Sequence, residues 1–149
     1  MAMSIKQLFP SDIINIILQY AGNNIIIQLQ DYFPHSLKYI TINEKEFELI
    51  NKNNYQYIRK FNCSNSKNIT NNSIKYLTQL TQLDCSNCPN MTDDDIKHLV
   101  RLTTLYCGNC PDITDYGIKN LVLLTKLNCW CCPNITNSVQ QIIAARNKN

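Results

Sequence analysis

A step of 22 residues recurs through the C-terminal two-thirds of this 149-residue chain and limits the folds open to it. Cys63, Cys85, Cys107 and Cys129 stand at this spacing. Apolar, proline, threonine and further cysteine columns share the same step. They are Ile58, Leu80, Leu102 and Leu124; Phe61, Leu83, Leu105 and Leu127; Ile74, Ile96 and Ile118; Leu77, Leu99, Leu121 and Ile143; Ser66, Cys88, Cys110 and Cys132; Lys67, Pro89, Pro111 and Pro133; Ile69, Met91, Ile113 and Ile135; and Thr70, Thr92, Thr114 and Thr136. This self-similarity defines four repeats within residues 58–149, which begin at 58, 80, 102 and 124.

Within each repeat the hydrophobic period changes from that of a strand to that of a helix. Leu83 and Cys85 alternate with polar residues, as in a short strand with one buried face. Ile96, Leu99 and Val100 follow the spacing of a helix face. Each repeat therefore predicts a strand followed by a helix.

The predicted helices begin at the threonine column. Thr92 is a favourable N-cap, and Asp95 completes a capping box in which aspartate replaces the usual Glu or Gln. The acidic residues 93–95 also lie at the positive end of the helix dipole. Capping thus accounts for the threonine column.

One strand–helix unit of this length buries too little apolar surface to offset the ordering of its backbone, which costs about 1–2 kcal/mol per residue. Neighbouring units must therefore stack, with their strands side by side in a parallel sheet and their helices in a second layer. The sequence predicts an α/β fold: a curved solenoid with parallel strands on the concave side and helices on the convex side.

The segments Leu80–Asp93 and Leu102–Asp115 share the pattern L-x-x-L-x-C-x-x-C-x-x-[IM]-T-D, which resembles the cysteine-containing class of leucine-rich repeat. The resemblance implies a right-handed leucine-rich-repeat solenoid. In that class the first cysteine column fills a leucine place of the strand, and the second caps turns inside the solenoid. Ser66 and the last helix, in which Asn137 replaces Asp, depart from the pattern, as terminal repeats do.

A degenerate first repeat is predicted at residues 37–57. Leu37, Ile40 and Ile42 precede their equivalents in the next repeat by 21 residues, and the unit lacks the capped helix of the others.

The cysteine pairs allow a second interpretation. Cys85-x-x-Cys88 and Cys107-x-x-Cys110 satisfy a spacing common in zinc sites, and a redox role would use the same pairs. Zinc explains the cysteines alone, whereas burial in a stack explains the apolar, proline and threonine columns as well, because cysteine packs as a small hydrophobe. We therefore expect buried, reduced thiols, no metal site and no cofactor, with Cys131 as an exposed thiol.

The sequence of residues 1–36 predicts an apolar helix that begins at Phe9-Pro10. This helix is similar to the first helix of the F-box, and F-box followed by cysteine-type repeats is the domain order of the F-box/LRR family. The resemblance implies that the segment binds a Skp1-like adaptor. The residues that would contact it are Pro10, Ile13, Ile14, Ile17 and Leu18. Alternatively, the segment is only an N-terminal helical cap that covers the apolar end of the first repeat.

The side chains that flank the buried strand positions predict a partner-binding surface on the concave face. Tyr106 and Trp130 are its expected anchors, because aromatic residues are enriched at the centres of interfaces, and Gly108 leaves room between them. Trp130 could equally shield the end of the stack. The predicted contact residues are Lys60, Gln82, Asp84, Thr104, Tyr106, Lys126, Asn128 and Trp130, with Asp84 and Lys126 as the polar partners of the aromatics.

Composition narrows the function classes. The net charge of +3 (14 basic minus 11 acidic residues) is too small to indicate a nucleic-acid partner, and polar residues interrupt the Ile-rich stretch at 13–29, which argues against a membrane span. Neither His35 nor His98 has a nucleophile at a catalytic spacing, and three glycines form no phosphate-binding motif. We expect a non-enzymatic, monomeric protein of the cytoplasm, or of the host cytoplasm if an AT-rich virus encodes it.

These features lead to a hypothesis of function. The resemblance implies a substrate adaptor of a Skp1-cullin ubiquitin ligase, which binds an unknown target protein on the concave face. The alternative is a leucine-rich-repeat binding scaffold with no ubiquitin link.

Overall fold

The computed structural model describes residues 27, 37–38, 41–67, 69 and 74–146. The predicted N-terminal helical segment at 1–36 therefore lies outside the described residues, apart from Ile27, which is helical and buried. No helix in the described ranges has the length and apolar character needed to cross a membrane.

The protein is α/β and contains a five-stranded parallel sheet, as the sequence predicts. The strands lie in chain order, which is compatible with a solenoid-like arrangement. They are β1 (Thr41–Asn43), β2 (Lys60–Asn62), β3 (Gln82–Asp84), β4 (Thr104–Tyr106) and β5 (Lys126–Asn128). From β2 onward each residue pairs with the residue 22 positions later, as Phe61 does with Leu83 and Leu83 with Leu105. The predicted register is confirmed for these strands.

Short helices follow β1, β3 and β4, and a longer helix follows β5. They are α1 (Glu44–Glu48), a 3-10 helix (Lys52–Tyr57), α2 (Asp93–Ile96), α3 (Asp115–Ile118) and α4 (Asn137–Arg146). Thr92 and Thr114 are the N-caps of α2 and α3, as predicted. The Asp95 carboxylate accepts hydrogen bonds from the Thr92 N–H and hydroxyl at 2.7 and 2.8 Å.

The core is one continuous cluster to which the apolar columns contribute in successive repeats, and in the last repeat Leu127 is only partly buried against it. Leu80, Leu83 and Cys85 are fully buried, as are Leu102, Leu105 and Cys107 in the next repeat. The predicted burial of both cysteine columns is confirmed as far as Cys110; in the last repeat Cys132 is buried, with 7% exposure, whereas Cys129 is only half-buried. Stacking therefore provides the core that one repeat cannot form alone.

A further column of threonines forms hydrogen bonds between neighbouring repeats at the same 22-residue step. The Thr81 hydroxyl donates to the Arg59 carbonyl at 3.0 Å, and those of Thr103 and Thr125 donate to the carbonyl one repeat earlier at 3.0 and 3.2 Å. A side chain thus satisfies main-chain oxygens where the sheet ladder begins.

Carboxylates clamp consecutive helix N-termini together, which the sequence did not predict. The Asp93 carboxylate accepts the N–H and the hydroxyl of Thr114 at 2.8 and 2.7 Å. Asp115 accepts both groups of Thr136, each at 2.8 Å. Gly117 makes room for the first clamp, because a Cβ at that position would lie 2.3 Å from Asp93 Oδ1. The acidic residue after each cap therefore joins two repeats.

The first repeat differs from its prediction in two ways. Ile42, and not Ile40, pairs with Phe61, so the offset is 19 residues and not 21. The unit also has a capped helix: the Asn43 side chain accepts the Glu46 N–H at 3.0 Å, and Glu46 accepts the Asn43 N–H at 2.9 Å. A shift of two residues leaves the same face of a strand buried, so alternation could not distinguish the registers.

The predicted helix face was wrong at Val100. Helix α2 ends at Ile96, and the chain then turns, so that Leu99 remains buried while Val100 is 48% exposed. The apolar residues therefore keep the spacing typical of a helix beyond the last helical residue, and there the spacing no longer predicts which side chains are buried.

Replacing Asp93 by alanine tests the clamp between repeats. The free energy of unfolding should fall by about 1–3 kcal/mol, because the Thr114 N–H and hydroxyl lose a charged acceptor. Urea denaturation followed by far-UV circular dichroism measures the change. The matched control is Asp94→Ala, which removes a neighbouring, exposed charge paired with Lys97 and should lower the free energy of unfolding far less than Asp93→Ala does. Equal denaturation midpoints for the two variants would contradict the clamp.

Candidate protein-interaction surface

The predicted contact residues lie together on the outer face of the sheet, opposite the core. In register, Lys60, Gln82, Thr104 and Lys126 form one row of this face, and Asn62, Asp84, Tyr106 and Asn128 form the next. A third row follows the strands and contains Ser64, Ser86, Gly108 and Trp130. The residues of β2 to β4 on this face are half-buried, whereas Lys126, Asn128 and Trp130 are exposed. We call this surface the outer face.

An aromatic corner occupies the β5 end of the outer face and consists of Tyr106, Gly108, Lys126 and Trp130. The Trp130 indole lies against Gly108 so closely that a Cβ there would be 1.9 Å from the indole Nε1. Lys126 Nζ lies 5.3 Å from the centre of the Tyr106 ring, a cation–π contact. Trp130 is still 51% exposed, so the corner presents aromatic surface and a cation side by side.

The corner borders an open depression at the β5 end of the sheet. Tyr106, Lys126 and Trp130 line it together with Asn137 and Gln140 of α4. The structure thus places these three predicted contact residues at one depression.

Turns after β2, β3 and β5 hold the outer face in position. The side chains of Asn62 and Asp84 accept the N–H two residues on, at 2.9 and 3.0 Å, and Asn128 does so with Trp130 at 3.5 Å. Because one oxygen of Asp84 closes its own turn, this carboxylate both shapes the face and adds charge to it. The sequence predicted only the second role.

An asparagine column supports these turns and was missed in the sequence. Asn65, Asn87 and Asn109 have φ of 64°, 58° and 58°, the left-handed region that asparagine tolerates better than most residues. The Asn87 amide donates to Asn65 Oδ1 at 3.0 Å, and Asn109 donates to Asn87 at 3.2 Å. The 22-residue step applied to asparagine would have revealed the column. Cys131 takes the fourth place, with φ of 55°.

The second cysteine column bonds each repeat to the one before it. The thiols of Cys88, Cys110 and Cys132 donate to main-chain carbonyls of the preceding repeat at 2.9, 3.0 and 3.0 Å. In the first of these repeats Ser66 takes the position and donates to Glu44 at 2.8 Å. Each of these thiols therefore satisfies a main-chain carbonyl of the neighbouring repeat inside the stack.

Burial protects the first cysteine column from ionisation. Burial raises the pKa of the Cys107 thiol, and contact with the Cys110 thiol together with burial raises the pKa of Cys85. Both groups therefore stay protonated and unreactive at neutral pH. The cysteines in the described ranges are free thiols, and Cys131 is exposed, as predicted.

The described residues contain no group of three or more His, Cys, Asp or Glu side chains placed to hold a metal ion. The predicted Skp1-contact residues Pro10, Ile13, Ile14, Ile17 and Leu18 lie outside the described ranges. No protein-family model and no curated protein matches this chain.

Replacing Gly108 by alanine tests the aromatic corner. The new Cβ would overlap the indole, so Trp130 must leave Gly108 and become more exposed. Since Trp130 is the sole tryptophan of the chain, its emission should shift to longer wavelength and acrylamide should quench it more strongly. Gly108 has no positive φ, so its backbone accepts alanine. Ser86→Ala in the same row is the control, and spectra of both variants identical to wild type would show that the indole does not rest on Gly108.

Proposed function

We propose that this protein is a right-handed leucine-rich-repeat solenoid with an N-terminal helical cap, and that the outer face is its concave surface. Parallel strands in chain order, a constant 22-residue register and buried thiols that bond to the preceding repeat support this fold. Edge-to-edge stacking of identical units curves because the helix layer and the strand layer differ in width.

We further propose that the protein is a non-enzymatic interaction module that binds a target protein on this concave surface. The aromatic corner carries the proposal: Trp130 is half-exposed, fixed on one side by Gly108, and lies on the same corner as the Lys126–Tyr106 pair. A fixed, exposed tryptophan loses little conformational entropy on binding, and tryptophan and tyrosine are the residues most enriched at binding hot spots.

The third part of the proposal concerns the N-terminal segment. Its similarity to the first F-box helix, ahead of cysteine-type repeats, supports a role as substrate adaptor of a Skp1-cullin ubiquitin ligase in the cytoplasm. Residues Ile13, Ile14, Ile17 and Leu18 would supply the apolar contact with the Skp1-like adaptor. The second candidate, a binding scaffold without a ubiquitin link, keeps the concave surface and assigns these residues to the cap.

The concave surface is tested by comparing proteins captured from cell extract. The variant Tyr106→Ala with Trp130→Ala should lose its specific partner, because a truncated hot-spot residue commonly costs about 2 kcal/mol or more, or over tenfold in affinity. The matched control is Tyr76→Ala with Tyr116→Ala, which removes two tyrosines of similar exposure, 56% and 54%, outside the sheet. Quantitative mass spectrometry measures the captured proteins. A control variant that loses the same partner would place the binding surface elsewhere.

The ligase link is tested with purified Skp1. Wild-type protein should retain Skp1 in a pull-down, and Ile17→Asp with Leu18→Asp should abolish retention, because two charges cannot enter an apolar interface without a large desolvation cost. Circular dichroism and thermal denaturation show whether the repeats remain folded in the variant. Failure of the wild-type chain to bind Skp1 would remove the ligase and leave the scaffold.

A further inference from the structure

Strand β5 forms an edge of the sheet in the described part of the chain, where it pairs with β4 alone. Inside the sheet, the N–H groups of Cys107 and Asn109 donate to β5 and the turn that follows it, at the carbonyls of Asn128 and Trp130. One repeat later, the equivalent N–H groups belong to Cys129 and Cys131. By the same alternation along the strand, these two N–H groups and the main-chain groups of Leu127 point away from β4.

The core is also incompletely covered at this edge. Phe61, Leu83 and Leu105 are buried, whereas their equivalent Leu127 is half-exposed. A second open depression, lined by Leu127, Gln140 and Ile143 among others, separates β5 from α4 at this end. An exposed strand edge beside apolar side chains is a template for pairing with another chain.

We propose that β5 pairs antiparallel with β5 of a second copy of this chain, about a two-fold axis at Asn128. Leu127 of each copy would then face Cys129 of the other as a hydrogen-bonded pair, which uses the main-chain groups that point away from β4. Asn128 would face its own equivalent as a non-hydrogen-bonded pair, and Lys126 would face Trp130 of the second copy.

Charge complementarity favours a second copy of this chain as the partner of β5. The register sets each Lys126 against the face of an exposed indole, a favourable cation–π pair, on both sides of the axis. It also keeps the two lysines four residues apart along the strands, about 13 Å, so that like charges do not meet. The strand edge is therefore complementary to itself.

The symmetry also closes the assembly. A two-fold axis perpendicular to the sheet uses the same edge of both copies, so the contact forms a dimer and no filament. Both outer faces lie on the same side of the dimer, and the two aromatic corners meet at its axis. The sequence led us to expect a monomer, because a repeat pattern does not show which strand edge stays open.

Site-specific cross-linking tests the register. Non-hydrogen-bonded antiparallel pairs have Cα atoms about 4.5 Å apart, within the range that a disulfide spans. Asn128→Cys, in a Cys131→Asn background that removes the exposed thiol, should therefore form a disulfide-linked dimer with oxidised glutathione. Lys126→Cys in the same background should do so at least tenfold more slowly, because its equivalent in the second copy lies far away. Equal rates, or a faster Lys126→Cys, would overturn the register.

Removing one main-chain donor tests the edge itself. Cys129→Pro deletes an N–H that points away from β4, whereas Cys129→Ala makes a similar change of side chain and keeps that group. Sedimentation equilibrium should show a concentration-dependent dimer for wild type and Cys129→Ala and a monomer for Cys129→Pro, with unchanged circular dichroism for all three. A wild-type monomer throughout the range up to about 200 μM, or a Cys129→Pro protein that still dimerises, would refute the proposal; if Cys129→Pro unfolds, the cross-linking pair decides.

Discussion

The parallel register places each residue beside its equivalent 22 positions away, and most other features of this structure depend on that constraint. A side chain that bonds to the neighbouring repeat can therefore do so again one repeat later. Cysteine thiols, threonine hydroxyls and asparagine amides each form such a row, and Asp93 and Asp115 repeat the clamp on the following threonine. The thiol row lies inside the core, where it pairs main-chain carbonyls that would be costly to bury without a partner.

The sequence predicted the columns of the core and missed polar contacts around them. The register of β2 to β5 could be read from the 22-residue step, and so could the burial of the apolar and cysteine columns, except at Leu127 and Cys129 of the last repeat. The register of the first repeat could not be predicted in this way. Ile40 and Ile42 point to the same face of a strand, so the alternation of apolar residues does not show which of them pairs with Phe61. Asp93 had a sufficient local explanation at the helix N-terminus, and nothing in the sequence showed that Gly117 would let its carboxylate reach Thr114.

The candidate site was predictable in placement and only partly in chemistry. Strand alternation put Tyr106, Lys126 and Trp130 on one face, and the small residue Gly108 indicated where the indole lies. Alternation could not show that Asp84 closes its own turn, because that depends on the backbone after the strand. The high exposure of Trp130 also comes from its position at the sheet edge and not from its residue type.

The bonds that stabilise the interior repeats also explain why the last one differs. Each repeat gives its outward main-chain donors to the next, so the donors of β4 are satisfied by β5, while those of β5 have no further strand in the described sheet. Helix α4 has ten residues where α2 and α3 have four, yet it buries Ile143 and leaves Ile142 exposed, so it covers the end only in part. A stack can end this way at low cost only if water or another chain satisfies the edge. Pairing with a second copy would satisfy main-chain groups and apolar side chains together, and it would join the two outer faces at their aromatic corners.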